Sequence, residues 1–232
     1  FLFLLVFLGV AIRDLGGGRA LLFGAWVWLV AWLAEVSSTR GGLPFGLYHY
    51  TEATRGQELY LANVPLMDPL SFPFLAYAAG CLARWSAGRR PWPPLGVAAG
   101  AGLLMTLLDV VIDPLAVRGD RWFLGRIFFY PEGGLYFGVP LSNFVGWWVV
   151  GTLAVGGYLL LAGGRGGSSP GAGVALYYGV LGFNLAMTAW IGEWTLVAAG
   201  VALHAGTAGV LSRIHHQRSG AAARDPHEGE QG

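Results

Sequence analysis

Asp109 and Asp113 sit four residues apart in Leu108-Asp109-Val110-Val111-Ile112-Asp113-Pro114, at the end of a long apolar run. On a helix, positions i and i+4 share a face, so the two carboxyls lie close enough to interact. An ionisable group in an apolar helix is costly, roughly 2.5–3.5 kcal/mol for one Asp at a bilayer centre on insertion scales. Only 12% of this chain is charged. Two carboxyls on one face of such a helix suit the handling of a proton or a cation in a dry place.

The elements that must position this pair are membrane helices. The chain has 232 residues, 55% of them hydrophobic. A soluble domain carries about 25% charged residues, twice the proportion here. Apolar stretches fall at about 1–12, 20–36, 69–87, 93–117, 139–162, 172–191 and 193–212. A spanning helix needs about 20 residues. The expected fold is therefore an all-α polytopic transmembrane helix bundle of about seven spans, with six and eight as the alternatives. Residues 1–212 form a single helical domain on this reading, and 213–232 form a polar, disordered tail. The sequence starts at Phe1 within an apolar run, which is expected to be a first span truncated at its N-terminus. Small residues at Ala99, Gly100, Ala101 and Gly102, and at Gly179 and Gly182, would allow close helix contacts.

Two connections are long, polar and rich in Gly, Pro and aromatics: 37–68 and 118–138. Numbering faces by alternation puts Arg13, Arg19, Arg84, Arg89, Arg90, Arg165, Arg213, Arg218 and Arg224 on one side. Arg40, Arg55, Arg118, Arg121 and Arg126 fall on the other. The positive-inside rule makes the first side cytoplasmic, along with the C-terminus, and places the protein in the cell membrane.

Composition removes several classes of function. All 14 basic residues are Arg, which excludes Schiff-base chemistry on a lysine and with it a retinal receptor. Cys81 is the lone cysteine, so there is no internal disulfide or Cys-cluster metal site, and it reads as a small apolar filler. The formal net charge of +1 offers nothing to nucleic acid. Gly16-Gly17-Gly18 and Gly166-Gly167 lack the strand context of a phosphate loop. His215-His216 reads as solvated tail. A carboxylate metal site from Glu35, Asp109 and Asp113 would lack a histidine cluster, so neither metal nor cofactor is expected.

Polar residues converge instead on one membrane face, the face with both long loops. Glu35 ends the second apolar stretch, Asp109 and Asp113 the fourth, Asn143 begins the fifth, and Glu193 lies between the last two. The other half of the bundle reads as nearly bare. Each residue also has a structural reading. Asp113 precedes Pro114 and could mark a helix end. Glu193 could be a wet turn, and Glu35 could pair with Arg40. Asn143 could cap or bridge helices. His204 reads as a hydrogen-bonded packing residue. His49, between two tyrosines, is open. Asp109 lies a turn deeper than Asp113 and is harder to explain structurally.

Three strings carry a resemblance to a known family. Gly42-Leu43-Pro44-Phe45-Gly46-Leu47-Tyr48-His49-Tyr50-Thr51, the Leu108–Pro114 string, and Tyr136-Phe137-Gly138-Val139-Pro140-Leu141-Ser142-Asn143-Phe144-Val145-Gly146-Trp147 resemble signatures of the carotenoid biosynthesis membrane proteins that include the CruF-type carotenoid hydratases. Asn63-Val64-Pro65 also fits, and the match runs in order from about residue 20 to residue 160. Phe129-Tyr130-Pro131-Glu132-Gly133-Gly134 stands where a Trp-Gly-like element is expected, a departure that bears on substrate more than on fold.

The resemblance implies addition of water to the terminal carbon–carbon double bond of an acyclic carotenoid end, as in the bacterioruberin-pathway hydratases. The partners implied are a carotenoid, water and membrane lipid. Such a reaction needs an acid to protonate carbon, carboxylates to stabilise a tertiary cation, and a held water. Paired carboxyls in different environments can divide acid and stabiliser roles. On this reading Asp109 or Asp113 donates the proton, Asp109 being the stronger candidate. The other carboxylate and Glu35 stabilise the cation and orient water. Asn143, Tyr48, Tyr50 and His49 are candidates to hold that water. Phe45, Tyr136 and Trp147 would line the pocket and favour the cation through their ring faces. A cyclase or isomerase on the same pathway, and a lipid-binding or transport protein, are the alternative readings.

Overall fold

The computed structural model describes residues 1–164, 167 and 169–224. These residues form an all-α helical bundle with seven helices and two short two-stranded ribbons. The helices are α1 (Leu2–Leu15), α2 (Gly17–Gly41), α3 (Ser71–Ser86), α4 (Pro94–Ala116), α5 (Leu141–Leu161), α6 (Gly171–Trp190) and α7 (Trp194–Arg224). The strands are β1 (His49–Tyr50), β2 (Tyr60–Leu61), β3 (Val64–Pro65) and β4 (Phe128–Phe129).

Five helices, α2, α4, α5, α6 and α7, are long and apolar enough to cross a membrane. The two others are shorter than the spans expected there: α1 has 14 residues and α3 has 16, against about 20 for a full crossing. The reason is clear for α3. Twelve of its 16 residues are buried, and it packs on six other helices. It lies inside the bundle, enclosed by the other helices. The C-terminal boundary also differs from the sequence reading. Helix α7 runs on through Arg224, past the expected start of a disordered tail at Arg213. His215 is docked, stacking on Trp85 at 4.5 Å with Nδ1 2.7 Å from the Trp85 carbonyl. Arg165 and residues 225–232 lie outside the described residues.

Helical periodicity orients the site residues. The buried stripe of α2 is Ala20, Phe23, Val27, Ala31, Ala34–Glu35 and Ser38, so Glu35 faces inward because it continues a stripe spaced by three and four residues. Helix α4 buries Ala101, Gly102, Leu104, Met105, Leu108, Asp109 and Val111 by the same rule. Helix α5 answers with Asn143, Gly146, Trp147, Val150 and Gly151.

Close packing of α4 on α5 rests on missing side chains. A Cβ on Gly102 would strike the Trp148 carbonyl and Thr152, and one on Gly151 would strike Gly102 and Met105. Gly179 and Gly182, expected to permit close contacts on α6, meet nothing within 4 Å. The small residue that lets α6 approach α3 is Gly173, which lies against Cys81 and Tyr77.

Both long connections fold over one end of the bundle. Strand β1 pairs antiparallel with β4, His49 opposite Phe129 and Tyr50 opposite Phe128, which clasps the two loops together. Strands β2 and β3 form a hairpin. Indole N–H groups of Trp28 and Trp32, one turn apart on α2, donate to the Leu66 and Leu61 carbonyls and hold it down. Asp113 does not end its helix. Pro114 lies inside α4, which continues to Ala116. Glu193 is tied rather than simply wet. It accepts from Arg118 Nε at 3.0 Å and from Arg121 Nη1. Arg118 also donates to the Pro114 and Phe137 carbonyls, so this cluster staples the α6–α7 turn to the second loop.

The opposite end is not bare. Asp14 is buried and accepts from Tyr77 Oη at 2.9 Å, Arg84 Nη2 at 3.1 Å and the Ser169 backbone N–H at 2.7 Å. This compensated cluster holds α1 to α3.

Two consequences are measurable as thermal unfolding in detergent. Gly102→Leu should destabilise the bundle by about 1–3 kcal/mol, the usual cost of forcing atoms into a packed contact. Gly179→Leu should leave the midpoint unchanged. Burial pushes the Glu193 carboxyl up, but the hydrogen bonds and charges of Arg118 and Arg121 outweigh this and hold it below its ordinary value. A depressed carboxyl contributes stability above its unfolded value and loses it as pH falls through the folded one. Glu193→Gln should therefore cost about 1 kcal/mol at pH 7. The difference from the parent should close as the medium is acidified below about pH 4, where an unperturbed Glu protonates.

Candidate active site

Asn143 stands in the first turn of α5 and is fully buried. Its amide Nδ2 donates to Asp109 Oδ2 at 2.7 Å and to Asp113 Oδ2 at 2.9 Å. One side chain thus uses both of its N–H hydrogens to hold two carboxyls on the neighbouring helix. Tyr130, from the second loop, donates to Asp113 Oδ2 at 3.3 Å. The remaining oxygens Asp109 Oδ1 and Asn143 Oδ1 are buried and have no donor among the described residues.

A second grouping lies on the α2 side. Tyr50 Oη is 2.9 Å from Glu35 Oε2 and 2.6 Å from Asp68 Oδ2. A phenol has one hydrogen to donate. Two carboxyl oxygens at one phenol oxygen therefore need a proton from one carboxyl as well as that of Tyr50. Tyr48 Oη lies 3.4 Å from Tyr50 Oη. Burial pushes the Asp68 carboxyl up. The Tyr50 hydrogen bond opposes this and the Glu58 charge adds to it. Burial likewise raises the Tyr48, Tyr50 and Tyr130 hydroxyls well above the ordinary phenol value, so all three stay protonated. No Arg pairs with Glu35, Asp68, Asp109 or Asp113 among the described residues, and the proposed Glu35–Arg40 pair is not made. Like charges in one dry site repel, and shared protons relieve the repulsion.

Both groupings wall one cavity of about 400 Å³, within the range of small-ligand sites. Glu35, Asp68, Asp113, Asn143 and Tyr48 line it. Asp109 does not. It is 0% exposed against 8% for Asp113 and sits behind it. The cavity is otherwise apolar. Phe72 and Trp147 stack at 4.4 Å, with Phe45 edging both at about 6 Å. Phe3, Phe74, Val180 and Phe183 extend the apolar wall between α1, α3 and α6. The Gly42–Thr51 string explains itself here. Pro44 and Phe45 dock on α5 where Gly146 leaves room, and Ser38 Oγ accepts the Phe45 backbone N–H at 3.0 Å.

Of the other sequence candidates, Tyr50 reaches the site through its hydroxyl alone. His49 is exposed on the outer face of β1 against Phe129. Tyr136 packs on Phe137 and Phe144, away from the cavity. His204 is a packing residue, with Nε2 3.0 Å from the Leu107 carbonyl. No cluster of three metal-ligating side chains occurs among the described residues. Two members of the hydrogen-bonded groupings escaped the sequence reading, Asp68 and Tyr130, as did Phe72 in the aromatic wall. Asp68 carried a signal: Asp68-Pro69 opens an apolar stretch in a charge-poor chain, as Asp113-Pro114 closes one. Tyr130 carried none, because it is brought in by the β1–β4 pairing.

Removing Asn143 should expose how far the pair depends on it. Asn143→Leu leaves two buried carboxyls without their amide donors and should cost about 1–3 kcal/mol in detergent unfolding, more with a charged group. Tyr130→Phe removes one long hydrogen bond and should cost less than half as much.

The chain matches the family model described as carotenoid biosynthesis protein over residues 1–207, and it belongs to that family. No curated protein and no solved structure matched it.

Proposed function

From membership in the carotenoid biosynthesis proteins, we propose that this chain is a carotenoid hydratase, a cofactor-independent hydro-lyase. Its substrate is the acyclic end of a carotenoid, and it adds water across the terminal carbon–carbon double bond to give a tertiary alcohol. One observation carries the reading. Protonatable carboxyls, Asp113, Glu35 and Asp68, face an apolar cavity whose remaining wall is aromatic.

That combination suits hydration of a trisubstituted alkene. Asp113 transfers its proton to the less substituted carbon of the terminal double bond, leaving a tertiary cation on the other. Asp113 takes this role in preference to Asp109 because it lines the cavity and Asp109 does not. Asp109 stands behind it and shares the Asn143 amide. The carboxylate left on Asp113, together with Glu35, stabilises the cation. The aromatic wall that includes Phe72 and Trp147 borders it and favours it over an aliphatic wall. Water held near Asn143 and Tyr48 then closes the carbon–oxygen bond. The apolar arm between α1, α3 and α6 takes the polyene, so only the reacting end meets carboxyls. In this reading the loop face lies away from the cytoplasm, as the Arg asymmetry favours.

Expression in a host making acyclic carotenoids, followed by pigment extraction and mass analysis, tests the reaction type. Hydration adds the mass of one water per modified end. A pigment changed in structure with unchanged mass would point to a cyclase or isomerase, and an unchanged pigment to a binding protein. Asp113→Asn should lower product at least about tenfold, the low end of an acid–base contribution being about a hundredfold. Asp109→Asn should lower it less than Asp113→Asn. Equal product from a folded Asp113→Asn variant and the parent would remove Asp113 from the acid role.

A further inference from the structure

Hydration moves two protons in opposite directions. One goes to carbon, and one leaves the water that captures the cation. The first has a donor in Asp113, and the second needs an acceptor. The cavity wall holds a carboxyl in a different hydrogen-bonded grouping. Asp68 comes from the turn that precedes α3, lines the cavity, and meets Tyr50 at 2.6 Å. Tyr50 also meets Glu35 at 2.9 Å, which lines the same cavity as Asp113.

Resting on the hydratase reading, the geometry points to Asp68 as the base that accepts the proton of the attacking water, with Tyr50 as the positioning residue that returns it through Glu35. The steps balance. The Asp113 acid gives its proton to the CH carbon of the terminal double bond, and the alkene π bond becomes the new C–H bond, leaving the cation on the dimethyl carbon. Water oxygen forms the C–O bond to the cation. The resulting oxonium gives one proton to the Asp68 carboxylate, leaving the alcohol. Glu35, which carries the second proton shared at Tyr50, restores the Asp113 acid through a cavity water, and Asp68 then passes its proton to Tyr50 Oη as Tyr50 passes its own to Glu35. One water is consumed and no proton is gained or lost overall.

The placement fits a base better than a second acid. The titratable groups around Asp68 are Tyr50, Tyr48 and Glu58 from its own loop, Glu35 from α2 and Asp113 from α4, with no Arg pairing to it among the described residues. Glu58 is half-buried, lines the cavity and accepts the Met67 backbone N–H at 3.0 Å. A carboxyl held up by burial is a stronger base than a solvated one.

The test separates the two proton transfers. The full chain in lipid vesicles is supplied with an acyclic carotene in D2O, and both hydrated product and recovered carotene are analysed by mass. Asp68→Asn should lose hydration at least about tenfold. Its recovered carotene should still gain deuterium at the terminal double bond, because the cation forms and then returns a proton. Asp113→Asn should neither hydrate nor exchange. Tyr50→Phe, which keeps the ring, should shift the balance from hydration towards exchange. Asp68→Glu should restore hydration in part, with the acid limb of its pH–rate profile displaced. An Asp68→Asn variant that hydrates like the parent overturns the assignment. So does one that loses hydration and exchange together without rescue by Asp68→Glu, since that marks a structural role. A parent that makes no hydrated product overturns the hydratase reading itself, before any variant is compared.

Discussion

The two hydrogens on the Asn143 amide are the interaction on which this bundle's chemistry depends. They hold Asp109 and Asp113 from a neighbouring helix at 2.7 and 2.9 Å. Without a donor of that kind, two carboxyls one turn apart in a dry interior would be hard to keep. The amide can reach only because α4 and α5 come together closely, and that closeness rests on Gly102 and Gly151. Backbone spacing, set by missing side chains, decides whether a polar site can exist inside an apolar bundle.

Around that bridge, the two long connections act as structural parts and not as mere tethers. The first loop supplies Tyr48, Tyr50 and Asp68, and the second supplies Tyr130. A ribbon of two residues on each side, β1 with β4, joins them. The Arg118–Arg121–Glu193 cluster then anchors the second loop to the α6–α7 turn. The hydroxyls of the loops meet the carboxyls of the helices at the end of the bundle, where the apolar cavity also ends. The Asp14–Arg84–Tyr77 cluster at the opposite end makes a useful contrast. There a buried carboxyl has an Arg partner and serves structure. Among the described residues the site carboxyls have no such partner, and their hydrogen bonds come from neutral donors.

Much of this was legible in the chain. Charge scarcity and long apolar runs required a helical membrane bundle. The inward stripes of α2, α4 and α5 end in Glu35, Asp109 and Asn143 with helical spacing, so their convergence followed from alternation. The short interior helix α3 was harder to read, because hydropathy does not distinguish a lipid-facing span from a helix enclosed by others. His49 and Tyr136 sat in the same strings as true cavity neighbours but face away, His49 because adjacent residues on an extended ribbon point to opposite sides and Tyr136 because its turn packs it on Phe137 and Phe144. His49 and Tyr50 differ by that one step.

By itself, the sequence determined the helices, their inward faces and the family, because each is written in local spacing and composition. The tertiary structure alone decided which carboxyl meets the cavity and which is hidden behind it. Asp109 and Asp113 share a helix face and a common amide, and the one argument along the chain, Pro114 after Asp113, favoured Asp109. The depth of the cavity between helices favours Asp113 instead. It also decided that Asp68 joins Glu35 through a single tyrosine hydroxyl. That contact spans two loop segments and a helix, and its physical basis is a distance in space that no sequence separation encodes.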